Sequence, residues 1–381
     1  MGNRVTNKNG GHKSLNDPYK VTREQAILMT FACGFSNIVF TFTWVTKTTG
    51  KPFWIAVFIG VLANIPLGLW IFYLGKHFQG ATVFDILENS LGSFICKIVS
   101  IFYIILNITI GVCMLNLFAG TVKLYFLQHT PLWVTILILV LMCTLFVKSG
   151  MQNFARLIEL LIVLCVLNYF TGFALSFTRE FKIEHITPVF DTSLPKFAEG
   201  MLFTVGSVAD GLLFLMVMVG AVPDSHRHYR WVVKGFTYWA FVLSFAILLM
   251  AGDVSTEVLS RIGQAGIAVS RVFYMGGYIR GLEVLLLITY QCIAVVRTVM
   301  VLYSCWISSQ KLISIKNPWI LLVLISLMTY SAAVWLNSFN TAYFLAVFLG
   351  YYIVLPSVIF ILLLVSLSVV IKNRKNGCAL K

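Results

Sequence analysis

The chain runs as long apolar blocks separated by short polar segments. A hydrocarbon core about 30 Å thick takes roughly 20 apolar residues of helix. On that template ten spans fall near 24–46, 52–74, 94–126, 131–148, 155–178, 198–222, 231–252, 281–308, 318–336 and 341–371. Val83 to Leu91, between the second and third spans, carries the spacing of an amphipathic helix lying on the membrane face. Two connections exceed a turn: Arg179 to Phe197, with Thr187-Pro188 and Leu194-Pro195, and Asp253 to Arg280, with Gly263, Gly266, Gly276 and Gly277. Both are expected to hold short surface helices over the outer mouth. The reading is an all-α integral membrane protein: a tail over 1–22, a ten-span permease-like domain over 23–371 and a second tail over 372–381.

Composition agrees. Of 381 residues 59% are hydrophobic and 11% charged, whereas a soluble domain has roughly a quarter of its residues charged. Lipid bilayer is therefore the main solvent. The net charge of +14 marks topology and not nucleic acid, because no basic patch is interleaved with exposed aromatics. With the N-terminus inside, 18 Lys and Arg lie in or beside cytoplasmic segments and 9 in or beside outer ones, and the remaining one, Arg297, lies deep within a span. That twofold bias places both termini in the cytoplasm. No Walker loop, GxSxG or HExxH is present, and His226-Arg227-His228 has no third ligand nearby, so neither an enzyme, a cofactor nor a metal site is expected.

Glycine and small polar residues gather mid-span in two places. Span one contains Ala32-Cys33-Gly34-Phe35-Ser36-Asn37 and span six contains Val205-Gly206-Ser207-Val208-Ala209-Asp210-Gly211. Spans five apart run in opposite directions, so the pattern predicts an inverted 5+5 repeat with helices one and six broken at the midplane. The competing reading is that Gly34 and Gly206 allow close helix crossings. Asp210 and Arg297 are charges within spans, where each costs roughly 2.5–3.5 kcal/mol to insert. Asp210 could accept a ligand ammonium, carry a coupling proton, or pair with Arg297. On span eight Glu283, Tyr290, Arg297 and Ser304 recur every seven residues and share a face, with Thr298 beside Arg297. On span three Tyr103, Asn107 and Gly111 recur every four; for Asn107 an interhelical hydrogen bond and a ligand contact stay equally open. The candidate ligand-binding set is Gly34, Ser36, Asn37, Tyr103, Asn107, Gly206, Ser207, Asp210, Tyr290, Arg297 and Thr298.

These features, with Leu91-Gly92 opening span three, Ile186-Thr187-Pro188-Val189 and Leu194-Pro195 before span six, Leu282-Glu283 opening span eight and the basic tail, resemble the B subunits of spore germination receptors. Those are endospore germination permeases within the amino acid/polyamine/organocation superfamily. The resemblance implies a LeuT-like bundle in the spore inner membrane that senses a small-molecule germinant such as an amino acid, with spans one, three, six and eight lining the pocket. It also implies an A-type membrane subunit and a C-type lipoprotein subunit as partners. Two other functions stay open: a proton-coupled amino-acid transporter with Asp210 as proton carrier, and a structural subunit whose pocket an Asp210–Arg297 pair closes.

Overall fold

Where lipid is the solvent every peptide group must be satisfied within its own segment, which leaves helices or closed barrels. The computed structural model describes residues 21–35, 38–77, 82–177, 181–187, 192–222, 229–262, 283–313 and 317–378, and these are helical, with no strand among them. In chain order the helices are α1 (Arg23–Cys33), α2 (Ile38–Thr49), α3 (Phe53–Leu62), α4 (Ile65–His77), α5 (Val83–Leu91), α6 (Ser93–Tyr125), α7 (Leu132–Lys148) and α8 (Met151–Phe177). Then follow α9 (Leu194–Met218), α10 (Arg230–Val254), α11 (Thr256–Arg261), α12 (Glu283–Ser309), α13 (Pro318–Leu336), α14 (Phe339–Phe348) and α15 (Val354–Cys378).

Eight continuous stretches among the described residues are long and apolar enough to cross a membrane: Phe53–Gly75, Ser93–Tyr125, Met151–Asn168, Leu194–Ala221, Arg230–Val254, Leu287–Ser309, Pro318–Leu336 and Phe339–Val370. The two remaining expected spans correspond to the shorter apolar α7 and to α1 and α2, which together cover the first apolar block.

Local chemistry explains the boundaries. Thr22 and Gln25 form a reciprocal capping box that starts α1, and Thr82 and Asp85 form one that starts α5. Gly92 stops α5 at φ 91°, a backbone region that L side chains avoid, and lets α6 leave at once in a new direction. Pro195 and Pro318 sit in the first turns of α9 and α13, where a missing N–H costs nothing. The amphipathic helix stands over the residues its pattern predicts, with Val83, Phe84, Ile86 and Leu87 buried. The first long connection holds a 3-10 turn at Ile183–His185 and the second holds α11; residues 263–282 and the 188–191 segment lie outside the described residues.

Burial identifies the centre. Nearly all residues of α9 and α12 are enclosed, against about a third in α8 and α13, so α9 and α12 form the middle of the bundle and the others wrap them. Helix α1 packs on both of them and α6 packs along α12.

One expectation is corrected here. Span six is not broken, because α9 is a continuous helix from Leu194 to Met218 through Gly206, Asp210 and Gly211. Its glycines serve approach instead of interruption. A Cβ on Gly206 would overlap the Gly350 carbonyl oxygen, and one on Gly211 would overlap the Cys33 carbonyl oxygen. The irregularity lies elsewhere, in a π-helical turn at Leu349–Ile353 between α14 and α15. The first span does change at the expected place: α1 ends at Cys33, Gly34 and Phe35 turn with N–H bonds to the Phe31 and Ala32 carbonyls, and α2 starts at Ile38.

Candidate functional site

Asp210 projects from the middle of α9 and Arg297 from the middle of α12. Their side chains meet, with Arg297 Nη2 2.9 Å from Asp210 Oδ2, and are 1% and 2% exposed respectively. Burying either charge alone would cost far more than burying both, which is why two helices with so few charges bring these together. Among the described residues the Arg297 Nε has no hydrogen-bond partner, so the guanidinium keeps a donor beyond the ion pair.

The end of α1 completes this centre. Gly211, next to Asp210, lies against the Cys33 carbonyl, so the negative end of the α1 dipole is directed at the level of the ion pair. The Cys33 thiol lies in the field of both charges. On the side of α6, the Tyr103 hydroxyl donates to the Leu213 carbonyl at 2.7 Å, one turn along α9 from Asp210. Tyr103 also lies in the field of Arg297. Asn107 is buried and its amide donates to the Tyr103 carbonyl of its own helix at 2.9 Å.

Thus four helices (α1, α6, α9 and α12) converge on one charge pair, and Tyr103, Asp210 and Arg297 of the candidate set belong to that centre. Gly206 and Ser207 face the π-helical turn, where a Cβ on Gly350 would meet Ser207 Oγ at 2.5 Å; this hydroxyl is buried with no hydrogen-bond partner among the described residues. Gly34 faces α10: its Cα surface lies on the Trp239 indole, which Phe31 and Phe35 hold edge-on at centroid distances of 5.3 and 5.1 Å. Tyr290 is buried two turns before Arg297 on α12. Thr298 is buried, and one turn before it on α12 the Val295 carbonyl accepts from the Cys143 thiol of α7 at 3.6 Å. Ser36, Asn37 and the His226-Arg227-His228 triplet lie outside the described residues.

Residues 20–342 match the family model for spore permeases, described as spore germination proteins. The chain belongs to the spore permease family. A curated member, the spore germination protein YndE of Bacillus subtilis (strain 168), is 21% identical over 263 residues, which is 68% of this chain and 72% of that protein. The family match contains both members of the ion pair and stops short of the π-helical turn.

In this spore permease the sequence reading passed over three parts of the centre. Asn64 lies at the joint between α3 and α4, and its amide donates to the Val205 carbonyl on α9 at 3.3 Å and to the Gly60 carbonyl at 3.1 Å. A lone Asn inside an apolar span ahead of Pro66 was the available signal. Trp239 is wholly buried, and its indole N–H has no hydrogen-bond partner among the described residues. Gly350 supplies a backbone carbonyl to the α9 surface, and nothing in its apolar surroundings distinguishes it from a packing glycine.

Proposed function

We propose that this chain is the germinant-sensing, permease-like subunit of a spore germination receptor. It binds a small molecule, an amino acid or a compound like one, at the midplane where α1, α6, α9 and α12 meet. The observation that carries the reading is the Asp210–Arg297 pair, 2.9 Å apart and almost fully buried, against the carbonyl end of α1. A buried pair of this kind can open only if each charge finds a replacement partner. A zwitterion supplies both: its carboxylate takes the guanidinium, which already holds a spare donor at Nε, and its ammonium takes Asp210 and the α1 carbonyl end. Opening the pair moves α9 relative to α12, and a ligand that favours the opened arrangement shifts the population of states; signalling then requires no net transport.

The frame for this is a ten-span, LeuT-like arrangement of two five-span halves of opposite orientation, with α1 and α2 as an interrupted first span and α9 as an unbroken sixth. Both termini face the cytoplasm, as the distribution of Lys and Arg supports. The membrane is the spore inner membrane and the partners are the A-type and C-type receptor subunits, which membership of the family supports.

The same pair favours a second reading, a structural subunit whose pocket the pair keeps closed. Spores carrying Asp210→Asn in place of the wild-type chain, at matched abundance, separate the two. Loss of the response to one germinant, with other germinants unaffected, supports sensing; an equal fall in every response is the structural outcome. A transporter would instead give sustained concentrative uptake by the chain alone in proteoliposomes.

A further inference from the structure

The ion pair is tied to the small surface helix α5 by two separate routes. Along α12 the seven-residue stripe of Tyr290, Arg297 and Ser304 continues to Lys311, just past the end of the helix, about 20 Å from Arg297 at 1.5 Å per residue. The Lys311 ammonium is held by both carboxylates of α5, Asp85 at 2.6 Å and Glu88 at 2.8 Å. Asp85 is itself fixed by the capping box with Thr82 that starts α5. The second route runs through α6. Phe84 of α5 packs edge-on against the Tyr103 ring at 4.9 Å, its carbonyl accepts from the Cys96 thiol at 3.5 Å, and the Tyr103 hydroxyl bonds to Leu213 on α9. One end of the circuit therefore reaches α5 from Arg297 and the other from the Asp210 helix.

We infer that Lys311, Asp85 and Glu88 are positioning residues for the ion pair, and that α5 is the element through which a change at the pair reaches this face of the protein. The inference rests on the proposed role of the pair. If α9 and α12 shift when Asp210 and Arg297 part, the two attachments of α5 move relative to one another. The helix must then release Lys311 or Phe84, because nine residues cannot stretch. The clamp is partly exposed, with Lys311 at 26% and Asp85 at 23%, so it yields at less cost than the enclosed pair and is the place where the circuit opens.

Hydrogen exchange of the full-length chain in lipid nanodiscs tests this without any ligand, so its result is independent of whether a germinant is found. Peptides over 82–92 report on α5 and peptides over α7 serve as reference. Asp210→Asn is expected to speed exchange in α5 by about tenfold, since local opening sets the rate, and to leave α7 unchanged. Lys311→Met is expected to do the same and Lys311→Arg to retain slow exchange. Arg297→Met, which removes the other member of the pair, is the second core variant if Asp210→Asn does not fold, and it carries the same expectation for α5. Unchanged α5 exchange in the folded core variants, with Lys311→Met still fast, would make the clamp a local brace and overturn the inference; so would slow exchange in Lys311→Met.

Discussion

Replacing Arg297 by Met keeps a long apolar stem where the guanidinium stem lies but removes the cation beside the Asp210 carboxylate, 2% exposed in the centre of the bundle. Removing one member of such a pair typically costs about 3–5 kcal/mol, most of it the penalty of the stranded charge and not the worth of the pair. For a chain of this size that corresponds to a fall in thermal midpoint on the order of 5 °C. Asp210→Asn alone strands the guanidinium and is expected to cost a similar amount. The double variant strands nothing, since a neutral amide and a thioether replace the two charges, and replacement of a buried pair by neutral groups is often close to neutral. It should therefore recover at least half of the single-variant loss. Intrinsic fluorescence of the nine tryptophans follows unfolding of the detergent-purified variants, compared at one scan rate. Losses that add within about 0.5 kcal/mol would mean the two side chains do not interact, and the site built here would have no centre.

The glycines on α9 give a steric prediction: Gly206→Ala drives a Cβ into a backbone carbonyl that cannot rotate away, and should cost at least about 3 kcal/mol, the upper end of overpacking penalties. Gly92→Ala meets nothing within 4 Å and should cost only the backbone strain of φ 91° and ψ 166°, a glycine region worth on the order of 1–3 kcal/mol, and so less than Gly206→Ala; similar midpoints for the two variants would refute the crossing argument. Tyr103→Phe removes the donor to Leu213 while keeping the ring against Phe84, and should lower stability by about 1 kcal/mol without loosening α5, as read by unfolding and hydrogen exchange. The α5 clamp carries a pH signature. Burial pushes the Asp85 carboxyl up, but donors from Lys311 and Thr82 and the Lys311 charge outweigh it and hold the group below its ordinary 3.8. Burial pushes Lys311 down, and Asp85 and Glu88 outweigh it and hold the ammonium above its ordinary 10.5. Stabilisation from Asp85 is thus complete above pH 3.8 and is lost as pH falls through its lowered value; that from Lys311 is complete below pH 10.5 and is lost as pH rises through its raised value. The midpoint difference between wild type and Lys311→Met should stay constant between about pH 5 and 9 and shrink outside that window; a difference that grows on acidification would contradict the clamp.

Much of the architecture was legible because lipid imposes a simple rule on sequence. Long apolar blocks had to be helices, and the alternation of Val83, Phe84, Ile86 and Leu87 with Asp85 and Glu88 had to be an amphipathic helix, which α5 is, with those four apolar residues buried. Asp210 and Arg297 could not be seen as neighbours in the sequence, and only the packing of α9 on α12 brings them together, whichever further role Asp210 has. Span six misled for a physical reason. Gly-Ser-Val-Ala-Asp-Gly has the composition of a helix break and equally that of a surface two other backbones must approach, and the difference lies in what faces Gly206 and Gly211. The π-helical turn at Leu349–Ile353 left no mark in an apolar stretch, because hydropathy says nothing about backbone register.

The central claim is a ligand site at the ion pair, and thermal stabilisation of the detergent-purified chain by a panel of amino acids, nucleosides and sugars tests it most directly. A ligand that binds only the folded chain adds about 2.7 kcal/mol at a hundred times its dissociation constant. The account predicts a saturable rise in midpoint for at least one compound, absent from folded Asp210→Asn and Arg297→Met. A panel that leaves the wild-type midpoint unmoved, or a rise that survives in both variants, would contradict it.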